Sequence, residues 1–111
     1  MGGENLAKEY LVSKGYVILE NNFRTPHGEL DLIAEKGGVL VFVEVKTRSS
    51  HYFGYPEQAI TKRKQSFMKS AAEYYFSSHE NTPMTWQFDV ISIENKTSGD
   101  PVITHFENVI A

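Results

Sequence analysis

The chain has 111 residues, 41% of them hydrophobic and 23% charged, with a formal net charge of −3. That size and balance suit one soluble domain, residues 1–111, with a single core, and the acidic sum argues against a protein that simply coats nucleic acid. With no cysteine there is no disulfide framework, zinc finger or thiol nucleophile; no apolar run approaches the roughly 20 residues of a membrane span, and residues 1–5 lack the regions of a secretory signal, so a cytoplasmic protein without a membrane partner is expected.

Residues 4–14 carry Leu6, Ala7, Tyr10 and Leu11 at helical spacing, and Lys14-Gly15 supplies a stop, which predicts a short amphipathic helix. Tyr16 to Glu20 reads as a strand, with Asn21-Asn22 as a turn or bulge signal before Phe23-Arg24. Arg24 and His27 read as solvated loop residues within reach of a phosphate.

From Gly28 to Arg48 the pattern predicts two strands and a tight turn. Leu30, Leu32 and Ala34 alternate with Glu29, Asp31 and Ile33, the period of a strand. After Lys36-Gly37-Gly38, Val39, Val41, Val43 and Val45 point one way and Leu40, Phe42, Glu44 and Lys46 the other. A strand apolar on both faces belongs at the centre of a covered sheet. If Gly37-Gly38 form the loop, Lys36 faces Val39 and Asp31 falls opposite Glu44; if Lys36-Gly37 do, Glu29 faces Glu44. Either register leaves Asp31, Glu44 and Lys46 on one face, with opposed Cβ atoms roughly 5 Å apart. Facing carboxylates repel, and a divalent cation between them removes that penalty.

Ser49 to Pro56 reads as a loop bearing glycine and aromatic residues. A helix is predicted from about Glu57 to Phe76, with Ile60, Phe67, Ala71, Ala72 and Tyr75 as its core stripe. Trp86 to Ile93 is the next strand, and a strand–helix–strand unit makes it parallel to Val39–Lys46. Asn95 to Pro101 is a turn cluster, and Val102 to Phe106 an edge strand. The four histidines (His27, His51, His79, His105) show no metal-ligand spacing and read as loop or surface residues.

Gly28-Glu29-Leu30-Asp31-Leu32-Ile33-Ala34, followed by Val41-Phe42-Val43-Glu44-Val45-Lys46-Thr47-Arg48, resembles the signature of the bacterial YraN-like family of predicted endonucleases. That family is similar to archaeal Holliday junction resolvases and belongs to the PD-(D/E)XK nucleases. Gly3-Glu4, Phe53-Gly54, Pro56-Glu57 and Phe88-Asp89-Val90 extend the likeness over most of the chain, although Gln87 stands where the family often has arginine. The resemblance implies an α/β restriction-endonuclease-like fold with a mixed central sheet, in the order α-β-β-β-α-β-β. It implies Asp31 and Glu44 as metal ligands and Lys46 as the catalytic lysine, with Glu4 as a further acidic member of the site. An acid in a first helical turn also suits the helix dipole, which is the plain structural reading of Glu4.

Phosphodiester hydrolysis needs an activated water, charge stabilisation at phosphorus and help for the leaving oxygen, which carboxylate-held magnesium or manganese can supply. Asp31 and Glu44 would hold the metal, with the Val45 carbonyl as a third ligand. Lys46 would orient the water or stabilise the transition state. Arg48, Gln58, Lys62 and Lys64 are candidates for positioning DNA phosphates. The expected partner is DNA, with branched or junction DNA implied by the resolvase likeness, and symmetric cutting of two strands would take a homodimer. The plain alternative for the charged set is a salt-bridge ladder, Glu29 with Lys46 and Glu44 with Lys46. The rival function is a catalytically silent nucleic-acid-binding or protein-interaction module that retains the fold.

Overall fold

A computed structural model describes residues 3–49, 60–95 and 99–110. The elements in chain order are α1 (Gly3–Ser13), β1 (Val17–Thr25), β2 (Gly28–Lys36), β3 (Val39–Ser49), α2 (Lys62–Ser78), β4 (Thr85–Asn95) and β5 (Val102–Phe106). The strands form one sheet in the order β1-β2-β3-β4-β5. β1, β2 and β3 are an antiparallel meander, β4 runs parallel to β3 after the α2 crossover, and β5 returns antiparallel at the edge. This is the expected α-β-β-β-α-β-β order, with β3 in the middle, and it is an α/β core of the restriction-endonuclease-like type.

Each helix covers one face. Met68, Ala71, Ala72 and Tyr75 of α2 bury against Leu30, Ile33, Leu40, Phe42 and Phe88. Ala7 and Leu11 of α1 bury against Leu32, Val41, Val43, Ile91 and Ile93. The alternation read along β3 is therefore correct, odd residues facing α1 and even residues facing α2. Phe42 anchors the α2 layer, stacked on Phe88 at 5.5 Å and edge-on to Tyr75 at 5.9 Å.

Local chemistry sets the boundaries. α1 ends as a Schellman motif: Gly15 takes φ +94°, Tyr16 N donates to Leu11 O, and Gly15 N to Val12 O. Gly37 and Gly38 take φ +57° and +80°, the pair of positive values that a type I′ hairpin loop needs. α2 starts at Lys62, later than Pro56 suggested, because Thr61 is its cap and accepts from Lys64 N. Ile60 is buried as expected but precedes the helix, and fully buried Met68 belongs in the stripe; Glu57 lies outside the described residues. The first strand does not stop at Glu20. β1 runs on through Asn22, whose φ of +50° makes it a kink within the strand.

His105 departs from the surface placement expected of it. It lies on β5, and its Nε2–H donates to Asp89 Oδ2 at 2.7 Å, since the carboxylate can only accept. Its Nδ1 shares a hydrogen bond with the Tyr10 hydroxyl at 3.2 Å, tying α1 to the far edge of the sheet. Asp89 is fully buried and also accepts from Asn108 N at 2.9 Å and from the Gln87 amide at 3.0 Å. His79 is half-buried and stacks on Tyr75 with centroids 4.0 Å apart; His27 is exposed, and His51 lies outside the described residues. Among the described residues no helix is long and apolar enough to cross a membrane.

Asp89→Ala strands three donors at once. It is expected to cost about 2–4 kcal/mol, summing hydrogen bonds of roughly 1 kcal/mol each plus the desolvation of what remains. The urea midpoint should fall with an unchanged m-value.

Candidate active site

β2 and β3 pair from Lys36↔Val39 to Leu32↔Val43, so the Gly37-Gly38 loop is the register found. A continued ladder would set Leu30 opposite Val45 as a hydrogen-bonded pair. Instead the Val45 N–H is taken by the Asp31 carboxylate, Oδ2 at 2.7 Å. The two strands thus part at the end of β3, and a side chain fills the place of a backbone partner.

The parting follows from a break in alternation. Leu30 and Ile33 both bury on the α2 side, while Leu32 buries on the α1 side. Two residues therefore stand where strict alternation allows one, and Asp31 is the extra one. β1 matches this with its kink at Asn22, between Asn21↔Leu32 and Phe23↔Leu30. The single charged face expected of Asp31, Glu44 and Lys46 is corrected accordingly. Glu44 follows Phe42 on the α2 side, with Lys46 next on that face. Asp31 lies in the seam and opens toward α1, into a hollow of about 340 Å3 lined by Gly3, Glu4, Asn5, Val45 and Thr47.

Glu4 reaches this hollow because α1 begins against β3. A Cβ on Gly3 would collide with Thr47 Oγ1, so only glycine allows that approach with Thr47 as it stands. The Glu4 carboxylate receives the Asn22 amide, turned so that its nitrogen lies 2.7 Å and 3.1 Å from the two oxygens. Burial, then the charges of Asp31 and Glu29, raise its pKa.

Glu44 sits on the other side of the Val45 peptide and is only 6% exposed. Its Oε2 pairs with Lys64 Nζ of α2 at 2.5 Å. Its Oε1 is buried and has no hydrogen-bond partner among the described residues. Burial raises the Glu44 pKa; the Lys64 hydrogen bond opposes it, the Asp31 charge adds to it, and the charges of Lys64 and Lys46 oppose it further. Among the described residues the alternative ladder through Lys46 is not seen: Glu44 takes its cation from across the α2 layer, and Glu29 pairs with Arg24 at 3.5 Å.

Among the described residues no three His, Cys, Asp or Glu side chains group into a metal cage. Magnesium does not ask for one, because it keeps waters and binds through one or two carboxylates plus substrate phosphate. The donor set here fits that habit. Asp31 and Glu44 flank one peptide, one Glu44 oxygen is desolvated without a partner, and the Val45 carbonyl points into the same seam as its N–H.

The profile of the uncharacterised protein family UPF0102 matches residues 3–93, a span that includes Glu4, Asp31, Glu44, Lys46 and Lys64. The chain belongs to UPF0102. This is the YraN family of the sequence resemblance. A UPF0102 protein of Syntrophomonas wolfei is 54% identical over 91 residues, covering 82% of this chain and 79% of that protein. One from Thermodesulfovibrio yellowstonii is 48% identical over 107 residues, covering 96% and 89%. One from Caldicellulosiruptor saccharolyticus is 47% identical over 91 residues, covering 82% and 77%.

Within this UPF0102 chain the expected site residues fall into two groups. Glu4 and Asp31 meet on the α1 side; Glu44, Lys46 and Lys64 lie on the α2 side, with Val45 between them. Lys62 is exposed in the first turn of α2. Arg48 pairs with Glu94 through the β3 backbone, its side chain lies outside the description, and Gln58 lies outside the described residues. Sequence reasoning did not anticipate the Lys64–Glu44 pair or the Asn22–Glu4 contact. The Asn21-Asn22 bulge signal marks the kink from which the second contact is made, but nothing in the sequence joins it to Glu4.

Because folding raises the Glu44 pKa, its contribution is favourable below about pH 4.5, the ordinary glutamate value, and is lost as pH rises through the raised value. Glu44→Gln removes this loss. In metal-free buffer the stability difference should move in the variant's favour from about pH 4.5 up to the raised value and level off above it, read as the difference in urea unfolding free energy at successive pH values.

Proposed function

We propose that the chain is a metal-dependent endonuclease that hydrolyses DNA phosphodiester bonds. The observation that carries this reading is the buried Glu44 carboxylate, which keeps one oxygen without a partner among the described residues beside the Asp31 seam. A carboxylate of purely structural use would satisfy both oxygens or face water. Asp31, Glu44 and the Val45 carbonyl would hold magnesium or manganese. Such an ion supplies Lewis acidity and a nucleophile at neutral pH. Lys46, next along the Glu44 face, would stabilise negative charge growing on the phosphate. Glu4 enlarges the negative field on the α1 side.

The first turn of α2 supports a phosphate-bearing substrate. Lys62, Arg63 and Lys64 stand there with no acidic residue, against the helix dipole. Each misplaced cation costs roughly 0.3–1 kcal/mol, which an anion across the cleft offsets. Glu44 answers for Lys64; substrate phosphates would answer for Lys62 and Arg63. DNA as the polymer, branched DNA as a favoured form and a homodimer for paired cuts come from the resolvase likeness. A catalytically silent module that retains the fold is the second reading, and the net charge of −3 suits its protein-interaction form better than its nucleic-acid-binding form.

Incubation with supercoiled, single-stranded and four-way-junction DNA in magnesium or manganese tests this. Cleavage by wild type should fall by about 10²-fold or more in Glu44→Ala and in Lys46→Ala, the loss typical of removing one electrostatic stabiliser. Binding without cleavage in either metal identifies the silent module instead.

A further inference from the structure

We propose that Lys64 is the resident cation of the Glu44 pocket: its ammonium holds the place of a divalent ion and must leave Glu44 before one binds. Loading of the ion then frees Lys64 toward the phosphates of the substrate. This deepens the metal reading above and rests on it.

The pairing is one-sided. Lys64 Nζ meets Glu44 Oε2 at 2.5 Å, yet Oε1 of the same buried carboxylate has no partner among the described residues. A pair whose task was stability would use arginine, whose planar fork satisfies both oxygens. A lysine is a compact charge on a flexible stem, and it leaves the second oxygen to another group. Two cations on one small carboxylate repel, so an ion taking Oε1 weakens the hold on Oε2.

Lys64 also has somewhere to go. Its backbone is anchored, since Lys64 N donates to the Thr61 cap at 3.1 Å, so only the side chain has to swing. The side chain is 29% exposed and borders a cleft of about 410 Å3 lined by His27, Glu29, Thr61, Arg63 and Phe67. Its Nζ already lies 5.3 Å from the Phe67 ring centroid, a second favourable station on the way out. Arg63 and Glu29 border the same cleft, and Glu29 is already paired with Arg24, so an ammonium arriving there leaves more cation than acid and favours an added anion between Lys64 and Arg63. The exchange therefore couples metal loading to the appearance of a phosphate-binding pair beside the scissile site.

The test measures Mn2+ affinity of the intact protein without DNA, by the electron paramagnetic resonance of free Mn2+. Wild type, Lys64→Met, Lys64→Arg and Glu44→Gln are compared. Lys64→Met keeps the length of the side chain and removes the competing charge; it should bind Mn2+ roughly tenfold tighter than wild type. Lys64→Arg should bind severalfold more weakly, because its guanidinium can take both oxygens. Glu44→Gln should lose binding. A Mg2+ titration of wild type should also shift the Lys64 Cε–H NMR signals, and Glu44→Gln should show no such shift. Equal Mn2+ affinities in wild type, Lys64→Met and Lys64→Arg, or weaker binding by Lys64→Met, would overturn the proposal while leaving the metal reading intact. No Mn2+ binding by any of the proteins would overturn both.

Discussion

The short hydrogen bond from Val45 N to the Asp31 carboxylate is the contact on which the site depends. A backbone donor in the middle of a sheet must find an acceptor, and a neighbouring strand normally supplies one. Here a charged side chain does so instead, and charge-assisted bonds of this kind are among the stronger ones in proteins. That substitution lets β2 leave β3 without stranding a polar group. The gap it opens is where the α1 and α2 sides of the sheet communicate, so that Asp31 and Glu44 act on each other while lying on different sides of one peptide. With an ordinary ladder to the end of β3, the two carboxylates would instead face each other directly on the α2 side, with no opening between the two faces of the sheet.

Around that gap the helices contribute opposite charges. α1 delivers an acid, Glu4, in its first turn, where the dipole favours it. α2 delivers three cations in its first turn, where the dipole does not. One conflicts with local preference and one agrees, and the conflict sits at the candidate site. Departures from local consistency are expected where a chain serves a ligand rather than its own stability. The raised Glu44 pKa has the same meaning, since burial without a complete set of partners disfavours the charge the site would use.

Most of this architecture was legible from periodicity. The two-residue pattern of Val39–Lys46 marked the central strand and sorted its side chains onto the correct faces. The glycine pair marked the turn, and the helix between two strands marked the parallel pairing. What was hidden depended on tertiary partners. Leu30 looked like a face-mate of Leu32 because one extra residue in a strand leaves no trace in composition. Lys64 and Glu44 lie twenty residues apart on different elements, and nothing in their spacing joins them. His105 looked solvated because its reason for being buried, Asp89, is on another strand. The start of α2 was misjudged because Pro56 is a strong local signal, whereas Thr61 shows itself only by the bond it accepts.

The kink in β1 has a reach beyond Glu4. β1 is the outer strand on one side of the sheet, nine residues long, with Val17 and Leu19 exposed, a profile that invites a stray strand to dock. Its register slips between Ile18 and Glu20, and Asn22 turns left-handed three residues before its end. Neither half offers a straight row of donors and acceptors long enough to template another chain. The same asparagine that steadies an acidic side chain therefore also guards the protein against sticking to itself.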